Sequence, residues 1–156
     1  MVKFNSSSRF SPLKGEILLV QTDTTVGFLS QNKQRLDDVK KRESSKPYLI
    51  NFFDFKTLKK YMRVPKVRKK EVRRAKKTTF VVKNQAFRVA KPKLSSAFLR
   101  EIGWCYSTSA NLSFHTFDRE FACSGADVII ENQDGLSEKK ASAIYKINSK
   151  RKIRLR

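Results

Sequence analysis

The chain has 156 residues, 39% hydrophobic and 11% aromatic, with 35 Lys and Arg against 14 Asp and Glu for a net charge of +21. That length suits one domain with a real core, and that apolar content excludes a charged tail unable to offset its ordering entropy. The charge points to a polyanionic partner, because each Lys or Arg that meets a phosphate releases condensed counterions. No basic amphipathic helix with a strong apolar stripe argues for an acidic membrane surface, and no apolar run approaches the ~20 residues of a membrane span. Residues 1–13 form a short polar, Ser-rich segment without the apolar centre of a secretory signal, so the expectation is a cytoplasmic protein with a single domain over 14–156. Cys105 and Cys123 lack the paired spacing of a zinc site and read as reduced core thiols, and no metal-ligating set is expected.

Glu16 to Val20 is an apolar run suited to a buried strand, and it leads into a turn-rich loop. Arg35 to Arg42 reads as one helix or its end, with Leu36 and Val39 on one face. Pro47 to Phe53 reads as a second strand. Asp54 is placed to cap a helix carrying Phe55, Leu58 and Tyr61 or Met62, which should stop before Pro65. From Lys56 to Lys83 the chain holds thirteen Lys or Arg against one acid, Glu71. The middle of this stretch, Lys66 to Lys77, has few apolar residues and reads as an exposed helix or loop.

Strands are expected again at Thr79 to Val82 and Ala86 to Val89. Ser95 or Ser96 is the expected cap of a helix carrying Phe98, Leu99 and Ile102, and Gly103 sits where a left-handed C-terminal residue belongs. Trp104 to Ser107 reads as a strand, Thr116 as the cap of a short helix through Cys123, and Asp127 to Glu131 as another buried strand. Ser142 to Ile147 and Lys152 to Leu155 have the pattern of a hairpin turning at Asn148 and Ser149. Strands alternating with helices predict a three-layer α/β architecture, whose ligands bind where polar loops gather at strand ends.

Three polar runs stand out: Thr22-Asp23-Thr24-Thr25-Val26-Gly27, Lys40-Lys41-Arg42 followed by Lys46-Pro47, and Ser107-Thr108-Ser109-Ala110-Asn111. Taken singly, each has an ordinary reading as turn chemistry, a solvated helix end or a capped loop. Their order resembles the YrdC-like family. There a strand leads into Pro-Thr-(Asp/Glu)-Thr with a Gly shortly after, then Lys-x-Arg, then Ser-x-Ser-Ala-Asn directly after a strand. The resemblance runs from about Lys14 to Arg154 and takes in Arg88 of Phe87-Arg88-Val89 and Ser142-Ala143-Ile144. Gln21 stands where the family has Pro, and Phe114 where a Gly often follows Ala-Asn-Leu-Ser. Of the family's Pro-Gly-Pro-x-Thr turn, Ala75-Lys76-Lys77-Thr78-Thr79 keeps the final Thr.

The resemblance implies the YrdC-like fold, a twisted, mixed, open sheet flanked by helices. It also implies L-threonylcarbamoyladenylate synthase activity, a nucleotidyl transfer joining L-threonine, bicarbonate and ATP with release of pyrophosphate. Magnesium would arrive bound through the nucleotide. The product would pass to separate threonylcarbamoyl transferase proteins that modify an adenosine beside the tRNA anticodon. Carried over residue by residue, Lys40, Arg42, Ser109 and Asn111 form the catalytic set. Lys46, Thr79 and Ser142 lie on the nucleotide side, and Thr22, Arg88 and Ser107 hold threonine, Arg88 through its carboxylate. Such chemistry needs no protein nucleophile, since the carbamate oxygen attacks the α-phosphorus itself. His115 is therefore read as a surface or loop residue.

Two rival readings accompany this one. The first is a non-catalytic domain binding tRNA or double-stranded RNA through Lys56 to Lys77, by backbone and shape because no aromatic motif is interleaved with the charges. The second is a carbamoyl-transfer module related to hydrogenase maturation.

Overall fold

The computed structural model describes residues 2–4, 13, 15–41, 47–90, 94–131 and 133–156. In chain order its elements are β1 (Val2–Phe4), β2 (Leu18–Gln21), β3 (Val26–Ser30), α1 (Lys33–Lys40), β4 (Leu49–Phe52) and α2 (Phe55–Tyr61). A 3-10 turn (Lys66–Arg68) leads into α3 (Lys69–Arg74), followed by β5 (Thr78–Val82), β6 (Gln85–Val89), α4 (Leu94–Ile102), β7 (Trp104–Ser109), α5 (Arg119–Ser124), β8 (Val128–Ile130), β9 (Ala143–Ile147) and β10 (Lys152–Arg154). β1 falls in the stretch read from sequence as a polar N-terminal segment.

The ten strands described form one mixed sheet in the order β1-β8-β2-β3-β7-β4-β6-β5-β9-β10. β2 with β8, β4 with β6 and β5 with β9 are parallel, and the remaining neighbours antiparallel. Successive strand residues point to opposite faces, and here both faces are covered. Ile17, Leu19, Val26 and Phe28 pack with Leu36 of α1 and Ala122 of α5 on one side. Leu18, Val20 and Leu29 pack with Phe98, Leu99 and Ile102 of α4 on the other. Farther along the sheet, Phe52, Phe80 and Phe87 pack with Phe55 and Leu58 of α2 and Val72 of α3. The result is the expected three-layer α/β architecture.

Local chemistry explains most boundaries. Asn32 caps α1 by accepting from the Arg35 amide at 3.2 Å, and Lys41 closes that helix in the left-handed region at φ 46°. Asp54 caps α2 as expected, accepting from the Thr57 amide at 2.6 Å, a bond that holds its carboxyl below the usual range. Gly103 ends α4 at φ 81°, where glycine pays no Cβ penalty. Asn148 Oδ1 accepts from the amides of Lys150 and Arg151 and makes the predicted β9–β10 turn.

One strand without a sequence assignment appears, and two local expectations are corrected. Val26–Ser30 is strand β3; all five residues are buried, so neither alternation nor an apolar run marks it around Gly27 and Ser30. α4 begins at Leu94, which places Ser95 and Ser96 inside its first turn. The cap of α5 is Asp118, whose carboxylate accepts from the Phe121 amide at 3.1 Å, and not Thr116. Both cysteines are free, Cys105 fully buried with its thiol pKa pushed up by desolvation. No helix among the described residues is long and apolar enough to cross a membrane.

One ion cluster fixes the frame on which the site stands. Asp127 accepts from the Ile17 amide at 2.7 Å, and its carboxylate lies 2.8 Å from Arg35 Nη2, tying α1 to the starts of β2 and β8. Burial would raise the Asp127 pKa, yet the hydrogen bonds from Arg35 and Ile17 outweigh it and hold the group below the ordinary carboxylate value.

Candidate active site

Strand alternation builds a polar cavity on the face that α4 shares. Phe52 and Phe87 turn into the core, so their neighbours Asn51 and Arg88 turn the other way, and the parallel register sets these two directly beside each other. Thr79 of β5 joins them, because its neighbour Phe80 pairs with Phe87. The β2–β3 turn, the end of β7 and the segment entering β9 close the remaining sides. The cavity has a volume of about 390 Å³, and Thr22, Asn51, Thr79, Arg88, Ser107 and Ser142 are among its walls.

Arg88 is its centre. Only 9% exposed, it donates from Nη1 to Asp23 Oδ1 at 3.0 Å and Thr24 Oγ1 at 3.1 Å, and from Nη2 to Thr79 Oγ1 at 3.2 Å. Thr79 Oγ1 lies 2.9 Å from Ser142 Oγ. Burial pulls the Arg88 pKa down, opposed by Asp23 and aided by Arg156 on the cavity wall; a guanidinium stays charged through such a shift. Two buried side-chain atoms among the described residues lack a hydrogen-bond partner, Arg88 Nε and Asn51 Oδ1. They are one donor and one acceptor, on adjacent strands, from two residues that line the same cavity. Buried polar atoms are otherwise almost always satisfied, so this pair is ready for a ligand that both accepts and donates.

The β2–β3 turn is held by Thr22, whose Oγ1 donates to the Thr25 carbonyl at 2.6 Å and accepts from the Thr24 amide at 3.2 Å. Behind the turn, Gly27 lets β3 approach β7, since a Cβ there would stand 2.9 Å from the Thr108 carbonyl oxygen. Lys40, at the end of α1 and 4% exposed, reaches beneath the β7 terminus. Its Nζ donates to the Ser109 carbonyl at 2.9 Å, to the Asn111 carbonyl and to Asn111 Oδ1 at 3.2 Å. Asn111 Nδ2 donates in turn to the His115 carbonyl. Between them Phe114 holds φ 69° while 99% exposed, a conformation that suits the glycine the resemblance places there.

Of the residues expected from sequence, Thr22, Thr79, Arg88, Ser107, Ser109, Asn111 and Ser142 line one cavity, and Lys40 braces it through Ser109 and Asn111. Arg42 and Lys46 lie outside the described residues. Asn51 and Arg156 are wall residues that the sequence reading did not include, and Thr24 entered only as part of the Thr22–Gly27 run. Asn51 sits in the apolar run Tyr48 to Phe53, where only its register with Arg88 gives it meaning. His115 is exposed, as expected. Among the described residues no three His, Cys, Asp or Glu side chains gather as metal ligands.

Several solved structures share the fold, among them three with informative partners or coverage. E. coli YciO has 17% identity and a TM-score of 0.72 over 91% of this chain and 82% of its own. P. abyssi Sua5 complexed with L-threonine has 14% identity and a TM-score of 0.71 over 91% of this chain and 50% of its own. Full-length HypF in its phosphate- and nucleotide-bound form has 16% identity and a TM-score of 0.77 over all of this chain and 25% of its own. The chain thus spans about half the length of the Sua5 structure and a quarter of HypF. No curated protein matches it in sequence. The family model of Sua5, YciO and YrdC, described as telomere recombination, matches residues 13–156, and the chain belongs to that family.

Proposed function

We propose that the cavity makes L-threonylcarbamoyladenylate from L-threonine, bicarbonate and ATP. The observation that carries the proposal is the unpartnered pair, Arg88 Nε and Asn51 Oδ1, inside a cavity of about 390 Å³. That volume lies in the usual ~300–1,000 Å³ range for small ligands. A free amino acid offers a carboxylate to the guanidinium and N–H or O–H donors to the amide oxygen. Thr22, Ser107 and the hydroxyls around Arg88 suit the side-chain hydroxyl of threonine. The Sua5 structure with L-threonine and the nucleotide-bound HypF support the same pair of ligand classes in relatives of this fold.

The reaction balances without a protein nucleophile. The threonine amine takes the carbon of bicarbonate to give a carbamate and water. A carbamate oxygen then bonds to the α-phosphorus of ATP, and the bond to the β-phosphate oxygen breaks to release pyrophosphate. The protein supplies position and charge. In this reading Arg88 and Asn51 orient the amino acid, Lys40 holds the Ser109–Asn111 segment in place through its Nζ, and Arg42 and Lys46 face the phosphates. Ser109 and Asn111 direct the reacting oxygens, while Thr79 and Ser142 border the nucleotide. Magnesium would arrive on the triphosphate. Pyrophosphate release should require threonine and bicarbonate together; ATP hydrolysis that proceeds equally without threonine would overturn the assignment.

A second contact, to RNA, is favoured by one observation. Lys56, Lys59, Lys60, Arg63, Lys66, Lys70, Arg74, Lys76 and Lys77 are all exposed, and Glu71, the one acid of the stretch, is engaged by Arg68 and Lys152. Transfer RNA, the destination of the product's threonylcarbamoyl group, is the polyanion this reading carries, with the downstream transferase proteins as further partners. An exposed basic surface of this kind binds with a steep salt dependence.

A further inference from the structure

The other face of β4 and β7 bears a second concavity that the synthesis reaction does not use. Ile50, Phe52, Trp104 and Tyr106 alternate with the cavity-lining residues and emerge on the α2 side, where the antiparallel register sets Ile50 beside Tyr106 and Phe52 beside Trp104. Tyr61, the last residue of α2, leans over them and is 58% exposed. Ring centroids run 5.8 Å from Tyr61 to Trp104 and 5.2 Å from Trp104 to Tyr106. Around these rings lies a groove of about 1400 Å³ whose rim carries Lys59, Lys60, Arg63, Lys66, Lys69 and Lys83. No acidic residue lines it, and none of these six cations joins an ion pair among the described residues.

The groove is larger than the ~300–1,000 Å³ typical of small-molecule pockets, a size that suits an extended chain. Six unpaired cations require that chain to be anionic. Exposed Tyr61 and the half-buried, edge-to-face rings of Trp104 and Tyr106 suit flat apolar groups along it, since a partner with charge alone would leave these rings wet. An unpaired polynucleotide has both features: bases stack on aromatic side chains while phosphates follow a cationic groove. A duplex hides its base faces and would meet only the rim.

We propose that this groove binds single-stranded RNA by stacking bases on Tyr61 and the Trp104–Tyr106 pair, with the six cations neutralising the flanking phosphates. The proposal rests on the RNA contact argued above, with which it shares Lys59, Lys60, Arg63 and Lys66, and changes its mode, from backbone and shape to base stacking in the groove beside those cations.

Trp104 is the sole tryptophan, so its fluorescence reads this groove alone. The test titrates the whole chain with oligoadenylate of about twelve nucleotides, a length within the range of known single-strand sites. Inorganic polyphosphate of equal charge and an RNA duplex of equal length run in parallel. Oligoadenylate should quench Trp104 to saturation, whereas polyphosphate and duplex should bind more weakly and leave the emission nearly unchanged. Tyr61→Ala, at an exposed position, should weaken oligoadenylate binding about five- to a hundredfold, and Tyr61→Phe should restore it to within about twofold. Lys59→Gln with Arg63→Gln should lower the salt slope by about 0.7 for each phosphate that is no longer neutralised.

If RNA binds with Trp104 emission and Tyr61→Ala affinity unchanged, the stacking groove is wrong and the backbone contact stands. If no polynucleotide binds at all, both fail. Preferred binding of polyphosphate would reduce the groove to a charged surface. None of these outcomes bears on pyrophosphate release, which reports the opposite face.

Discussion

Two concavities share the strands β4 and β7, and one residue of offset separates their chemistry. On one face Asn51, Ser107 and their neighbour Arg88 make a small polar cavity whose central charge is already paired with Asp23. On the other, Phe52, Trp104 and Tyr106 floor a groove more than three times larger, rimmed by cations with no acid to pair them. A pre-paired, desolvated arginine with one N–H still to donate suits a small ligand held by directed hydrogen bonds. Unpaired cations over aromatic rings suit a long polyanion held by charge and stacking. Because a strand presents its faces alternately, the chain carries both without a second domain.

The comparison breaks most sharply at the substrate. If Thr22, Ser107 and the hydroxyl cluster around Arg88 recognise the threonine hydroxyl, valine should be used about 10⁴-fold less efficiently than threonine, because the buried polar groups would be left unpaired. Serine, which keeps the hydroxyl and loses one methyl, should fall by only about 10- to 200-fold. Ratios of kcat/KM for the three amino acids check this, and valine turned over as well as threonine would displace the pocket.

Lys40→Ala should lower kcat about a hundredfold, because the Ser109–Asn111 segment it braces would lose its position, with RNA affinity unchanged. Arg88→Ala should raise KM for threonine by a similar factor, since a hydrogen bond to a charged group contributes about 1.5–3 kcal/mol. It should leave KM for ATP within about twofold. Equal effects on both KM values would take Arg88 away from the amino acid. Gly27→Ala sharpens the geometric side. Its new Cβ meets the Thr108 carbonyl, and overpacking of this kind costs about 1–3 kcal/mol. Chemical denaturation should find that loss, and steady-state kinetics a raised KM for threonine.

The smallest expected effect concerns the frame under both faces. The folded pKa of Asp127 is depressed, so its stabilisation is complete above the ordinary value of about 3.9 and is lost as pH falls through the folded value. Asp127→Asn should therefore lower stability near neutrality and flatten the loss below about pH 4, as denaturant midpoints across a pH series would record. An unchanged acid limb would remove the Arg35–Asp127 pair from the account.

Much of the polar cavity was legible in the sequence because its hydroxyls and amides come in runs. Thr22 to Gly27 and Ser107 to Asn111 each fold as local turns or strand ends, so their spacing survives into three dimensions. Arg88 was legible only through the family resemblance, as a lone arginine in an apolar strand. Asn51 was not, since its role comes from register with Arg88, and pairing between strands is invisible to local pattern. The same reason hid the groove. Tyr61 lies far along the chain from Trp104 and Tyr106, so the sequence offered charges without interleaved aromatics, and the fold brings the two together. β3 escaped because every residue in it is buried, which removes the alternation by which half-exposed strands are recognised.

The central claim, that the polar cavity joins threonine, bicarbonate and ATP, is tested most directly by identifying the product. Purified protein should be incubated with L-threonine, ATP, magnesium and carbon-13-labelled bicarbonate, and the adenylate followed by mass spectrometry. The account predicts threonylcarbamoyl-AMP carrying the label, formed in step with pyrophosphate and absent for Arg88→Ala at low threonine. Pyrophosphate release with no labelled adenylate, or no turnover by the native chain while it binds both threonine and ATP, would contradict it.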